Sequence, residues 1–259
     1  MKTVVFQSFR TTRVPDWVAA CMGTVHEWAG AKGFDYRFFD DTFLDLAPAW
    51  LRERCAGEIC PVTDVARLVM ARRLLDAGYQ RAVWVDADML IFTPDSLPVD
   101  AIDGYALVLE LWPYVDAQGN LQCEKRINNS VMVFAQGHPQ LDFFIDSCLK
   151  IASGRAGIGK FDLGTSFFTR LGQLVPLPLL PNIGMFSPVL MNAIANGHDA
   201  LLSQYAAHLS APLVAANLCN SIAGELVQGS TAEYAAYEAV VEKCRATRGD
   251  VVNRWLSNQ

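Results

Sequence analysis

Two carboxylates, Asp86 and Asp88, directly follow the apolar run Ala82-Val83-Trp84-Val85. In extended backbone, alternate side chains share a face, so this spacing lets both carboxylates converge. Ligands of open α/β sheets bind at the carboxyl ends of the strands. Two adjacent carboxylates repel each other unless positive charge lies between them. A divalent cation that prefers oxygen ligands fills that place. The alternative is a solvated turn, but uncompensated paired charge beside an apolar strand is costly. A cation held there would act as a Lewis acid.

The surrounding pattern says what must position the pair. Residues 3–6 read as a first strand and residues 14–31 as a helix, with Pro15 suited to its first turn. Residues 36–39 read as a second strand, and residues 41–60 as short helices. The clearest helix spans 63–77. Thr63 suits its cap, Asp64 its first turn and Gly78 a left-handed end. Val65, Leu68, Val69 and Leu75 supply its apolar stripe. Residues 82–85 then read as a strand buried on both faces. This rhythm predicts an α/β fold with a mostly parallel central sheet flanked by helices. Further strands are expected at 106–109 and, after Asn128-Asn129, at 130–134. Residues 139–153 read as a helix and 154–159 as a mobile glycine-rich loop. Ser230 and Glu233 have capping-box spacing ahead of a last helix. Residues 171–197 lack any Asp, Glu, Lys or Arg, but four prolines interrupt them. They read as buried strand and loop, so no transmembrane segment is expected. No repeat or linker divides the chain, and residues 1–259 read as one domain.

Bulk properties narrow the function. The chain has 259 residues, 52% of them hydrophobic, enough to bury a large core. Its net charge is −6 and no basic stripe is present, which argues against nucleic acid as a partner. Small anions remain compatible through a bound cation. Seven cysteines, an odd number with no CxxC pair, suggest reduced thiols in a cytoplasmic protein. The N-terminal apolar run covers only residues 4–6 ahead of Arg10, too short for a signal-peptide core.

VWVDADMLIF resembles the DxD motif of GT-A glycosyltransferases. PVTDVARLVMARRLL resembles the helix before DxD in the retaining families that include glycogenin and bacterial lipopolysaccharide galactosyltransferases. INNSVMVF and FDLGTSFF resemble two later segments of those families. The likeness covers roughly residues 61–208. It implies a single GT-A domain and a glycosyltransferase dependent on Mn2+ or Mg2+. Such an enzyme moves a sugar, with retention, from a nucleotide-diphosphate sugar (UDP-sugar favoured) to a saccharide, lipid-linked or other hydroxyl acceptor. Peripheral membrane contact is compatible with it.

The resemblance also implies roles. Asp88 is the main metal ligand, and Asp86 contacts metal and ribose. Arg67 approaches the diphosphate or the carboxylates. Phe6, Gln7, Asp64 and Thr63 lie along the donor, Lys160 reaches a phosphate, and Asn129 binds the donor sugar. Asp162 holds sugar hydroxyls or steadies positive charge at the anomeric carbon. A late histidine completes the metal site, with His208 the candidate and His198 its competitor. Asn217 and Asn220 line the same pocket. There are departures: the first strand lacks an acidic residue, Ser130 replaces a glycine, and the His-x-x-Gly-x-x-Lys-Pro-Trp tail is absent. Two other readings of the carboxylate pair stand beside this one. One is a phosphatase or nucleotidyltransferase, and the other a non-catalytic nucleotide-sugar-binding protein. The stretch from Gly154 to Lys160 matches GxxxxGK, but Phe161 follows where a P-loop has Ser or Thr. The hhhhDxD pattern of haloacid-dehalogenase phosphatases lies on a first strand, not at residue 86. A Rossmann site is disfavoured because no glycine precedes Gly23.

Overall fold

The computed structural model describes residues 1–256. Its first half runs β1 (Thr3–Ser8), α1 (Asp16–Ala31), β2 (Asp35–Phe39), α2 (Ala49–Arg54), α3 (Ile59–Asp76), β3 (Arg81–Val85) and β4 (Met89–Ile91). The hairpin β5 (Tyr105–Val115) and β6 (Leu121–Ala135) follows, then α4 (Gln140–Gly154), α5 (Thr165–Leu174), β7 (Leu179–Leu180) and β8 (Ile183–Met185). The chain closes with α6 (Pro188–Asn196), α7 (Asp199–Ala206), β9 (Ala215–Asn217), α8 (Tyr234–Ala246) and α9 (Asp250–Asn253).

Six strands form the main sheet in the order β2-β1-β3-β6-β5-β7, and β4-β9-β8 form a second. The α/β class holds, but the main sheet is mixed rather than mostly parallel. β1 runs parallel to β2 and β3, whereas β6 runs antiparallel to both β3 and β5. The cause is local. Asp116-Ala-Gln-Gly-Asn120 closes a tight turn, which only antiparallel strands can use. The Asp116 Oδ1 accepts from the Gln118 and Asn120 N–H groups at 3.0 and 2.9 Å, and Gly119 takes φ 84°.

Strand alternation explains the core. Val4, Phe6, Ala82, Trp84, Met132 and Phe134 face α3, α4 and α5. Val5, Val83, Val85, Val131 and Val133 face α1. The sheet is therefore apolar on both faces, as the run at 82–85 suggested. A further cluster packs α6, α7 and α8 against Trp17, Leu90 and Ala216.

β5 and β6 run well beyond the expected 106–109 and 130–134, and other segments also differ from expectation. α3 starts at Ile59 with Glu58 as its cap, not at Thr63, whose hydroxyl instead donates to the Ile59 carbonyl at 3.1 Å. Pro61 permits the earlier start, because a first-turn residue needs no N–H partner. α8 begins after Glu233 without a side-chain cap, since Ser230 pairs with Val227 in a small bridge. Residues 171–197 hold helix as well as strand and loop: Pro188 sits in the first turn of α6, which Gly197 ends at φ 71°. Among the described residues no helix is long and apolar enough to cross a membrane. All seven cysteines are free thiols.

Phe144 is fully buried where α4 meets α5, edge-on to Tyr105, Phe134 and Phe168. Phe144→Ala is expected to lower the unfolding free energy by about 3–5 kcal/mol, read as the midpoint of urea denaturation.

Candidate active site

β3 delivers Asp86 and the turn after it Asp88, and four other elements converge on them. From α3, Asp64 and Arg67 lie three residues apart on the buried face. Arg67 NH1 is 3.1 Å from Asp86 Oδ1 and NH2 is 3.4 Å from Asp64 Oδ1. NH1 also donates to the Asn129 carbonyl at 2.8 Å, and the guanidinium lies 4.8 Å from the Trp84 ring centre. Trp84 in turn donates its indole N–H to Asp86 Oδ1 at 2.7 Å. From β6, Asn129 Nδ2 donates to Asp64 Oδ1 at 2.9 Å. From β1, Gln7 Nε2 donates to the Asp86 carbonyl at 3.0 Å. From β9, which pairs antiparallel with β4, Asn217 Nδ2 donates to Asp86 Oδ2 at 3.2 Å. The Asn220 N–H donates to Asp88 Oδ2 at 2.6 Å.

These bonds divide the two carboxylates. Asp86 has a guanidinium, an indole and an amide, whereas Asp88 has no Lys or Arg partner among the described residues. Burial pushes Asp88 up to about 7, and the charge of Asp86 adds to the push. Burial also raises Asp86, against the pull of Arg67, Trp84 and Asn217. It lifts Asp64 to about 6, with Arg67 and Asn129 opposing. Three carboxylates thus cluster around one guanidinium, which pairs directly with only Asp64 and Asp86. An oxygen-preferring divalent cation fits this donor set, since it would relieve the excess negative charge. Among the described residues, no other His, Cys, Asp or Glu joins the pair to make a set of three.

His208 is therefore not brought to the pair. It is exposed in the turn after α7, its N–H given to the Tyr205 carbonyl. His198 is also exposed, at the cap position of α7. The returning strand β9 places Asn217 there instead. Asp162 turns outward, bonded by Arg155 and by the Gly159 N–H at 2.9 Å. Lys160 reaches across to the Ser221 carbonyl and to Glu225, 3.4 Å away. Phe6 is wholly buried, 5.3 Å from the Trp84 ring, and supports the site through that ring. Thr63 is spent on its own helix, while Asp64, Arg67, Asn129 and Gln7 belong to the cluster. Gly164 lets the loop before α5 close over it, since a Cβ there would stand 2.8 Å from Asp64 Oδ2.

Sequence reading missed Glu110. It is 3% exposed on β5, and Asn128 Nδ2 donates to both Glu110 Oε2 at 3.2 Å and Thr165 Oγ1 at 3.1 Å. Arg126 stands 3.8 Å from its other oxygen. A lone acid in the apolar run ALVLELW was the available signal. Burial raises the Cys219 thiol, and the charges of Asp88, Glu110 and Asp86 add to the push. Cys219 is held at φ 55°, an uncommon backbone state for a residue with a side chain.

The fold is that of glycosyltransferases. A glycosyltransferase involved in the glycosylation of the major capsid of PBCV-1 aligns over 93% of this chain and 99% of its own, with a TM-score of 0.50 at 10% identity. Mouse xyloside xylosyltransferase 1 aligns over 85% of this chain and 98% of its own, with a TM-score of 0.42 at 10% identity. The Streptococcus pneumoniae glycosyltransferase GlyE aligns over 100% of this chain and 64% of its own, with a TM-score of 0.42 at 10% identity. No family profile matches the chain, and no curated protein matches it in sequence. At such identity the likeness concerns architecture, and the chemistry has to come from the residues.

Glu110 offers a test of the electrostatics. Burial raises its carboxyl from 4.5 to about 7, so between those values the folded chain holds a proton that the unfolded chain has lost. Stability therefore falls as pH rises through that window and levels off above it. Glu110→Gln is expected to flatten this slope, recovering roughly 1–3 kcal/mol near pH 8 relative to pH 5 in urea titrations.

Proposed function

We propose that the chain is a metal-dependent glycosyltransferase. It would move a sugar from a nucleotide-diphosphate donor to a hydroxyl acceptor, with retention as in the families its motifs resemble. One observation carries the reading: a half-buried carboxylate pair at a strand end, of which Asp88 lacks a cationic partner. Asp86 and Asp88 would hold Mn2+ or Mg2+, and such an ion supplies Lewis-acid stabilisation of a departing diphosphate. With only two protein carboxylates, the remaining ligands would be water and the diphosphate itself, a common arrangement for Mg2+ sites.

The chain's own groups divide the remaining work. Arg67 is fully engaged and orients Asp86 and Asp64, so it positions the site and does not approach the donor. Gln7 and Asn217 fix the backbone and the second oxygen of Asp86. Asn129 remains the candidate for the donor sugar, held in place by Asp64. Lys160 would meet a phosphate only after leaving Ser221 and Glu225, and the loop that carries it would then exclude water from the reacting centre. Asp162 would need to leave Arg155 to face the sugar.

The deciding experiment is thermal melting with Mn2+ and a panel of nucleoside diphosphates. A ligand at a hundred times its dissociation constant adds about 2.7 kcal/mol of stability. One diphosphate should stabilise the wild type in the presence of metal, and Asp88→Asn should lose that effect while keeping its own melting cooperative. Equal stabilisation of Asp88→Asn would sink the metal assignment. In the same assay Asn217→Ala should weaken the metal-dependent effect, whereas His208→Ala and His198→Ala should leave it unchanged. A loss confined to His208→Ala would restore that histidine as a ligand.

A further inference from the structure

We propose that the end of α5 and the loop after it form a docking surface for an anionic membrane. Residues 174–178 read Leu-Val-Pro-Leu-Pro. Leu174 is 81% exposed and Val175 45%, and Pro176 and Pro178 are exposed beside them. Leu177 turns back to pack against the core. Single exposed leucines are ordinary, whereas Leu174, Val175, Pro176 and Pro178 bare together mark a contact. The prolines stop the segment from extending the helix.

A groove of about 440 Å³ reaches Leu174 and carries Lys150, Arg155 and Arg170, with Asp162 its only carboxylate. Asp162 is taken by Arg155, while Lys150 and Arg170 have no acidic partner within ion-pair distance among the described residues. On a chain of net charge −6, this is a local excess of positive charge beside bare apolar surface. The partner that complements both is negative at its face and apolar just beneath, as is a bilayer bearing phosphate headgroups. Leucine and valine would enter the acyl boundary while the cations meet the headgroups.

Position adds a consequence. α5 begins at Thr165, bonded to Asn128 of the site, and ends at Leu174. Ten residues of helix span about 15 Å. Docking would hold the site one short helix above the membrane, which suits an acceptor carried on an apolar anchor. That last step rests on the glycosyl-transfer reading, but the docking surface does not.

The test is co-sedimentation of the full chain with vesicles of phosphatidylcholine alone, or of phosphatidylcholine mixed equally with phosphatidylglycerol. The wild type should sediment with the mixed vesicles, far less with neutral ones, and be released by added salt. Arg170→Glu, and Leu174→Asp combined with Val175→Asp, should each weaken vesicle binding at least about tenfold. Their melting temperatures should match the wild type, because these side chains are exposed. Failure of the wild type to bind the mixed vesicles overturns the proposal, even if inorganic phosphate stabilises it. Wild-type binding by both variants does the same. Vesicle binding without any nucleotide-dependent melting shift would uphold the docking surface and count against the glycosyltransferase reading alone.

Discussion

A single guanidinium holds the centre of this molecule together. Arg67 is 7% exposed and stands between Asp64 and Asp86, with the Asn129 carbonyl and the Trp84 ring completing its surroundings. Taking a charge out of water costs several kcal/mol unless a partner offsets it. Arg67 supplies that offset for two acids and receives it from them. It therefore fixes how α3 lies against β3 and β6. The balance remains negative, since Asp88 has no such partner, and the upward push on all three acids records the deficit.

The sequence showed those parts of the site whose cause is local. An apolar run ending in Asp-x-Asp declares a buried strand with carboxylates at its end, and the structure confirms both. The amphipathic stripe of α3 declared the helix, though the start was misplaced because Pro61 hides inside its first turn. What could not be read depends on long-range return of the chain. β9 comes back beside β4 and puts Asn217 on Asp86, while His208 stays on the surface. Nothing in the order of residues separates those two outcomes. β5 and β6 were read as short because Glu110, Lys125 and Arg126 interrupt their apolar pattern. Their true length follows from the turn at residues 116–120, a signal that the apolar runs overshadowed.

Architecture shared at 10% identity is less surprising in this light. The main sheet needs apolar groups on both faces, and many sequences meet that demand. The groups that do chemistry sit where strands end, outside the packed layers. Exchanging one side chain for another there disturbs no core. A common frame can thus carry different side chains at its strand ends with little cost to folding.

The long β5–β6 hairpin has a dynamic consequence. Its ladder runs from the Tyr105–Phe134 pair to the Val115–Leu121 pair, and Glu110, Asn128 and Asn129 lie within it. The opposite side of the site, residues 219–225, hangs on isolated bonds such as those from Asn220 and Lys160. Free energies of local opening follow this difference in anchoring. Amides of the hairpin nearest the sheet centre should exchange with solvent far more slowly than those of the facing loop, which open through small excursions. The site then breathes on one side only. A donor bound there would need to lift only the soft side, while the polar wall it meets is already in place and little ordering is left to oppose its binding.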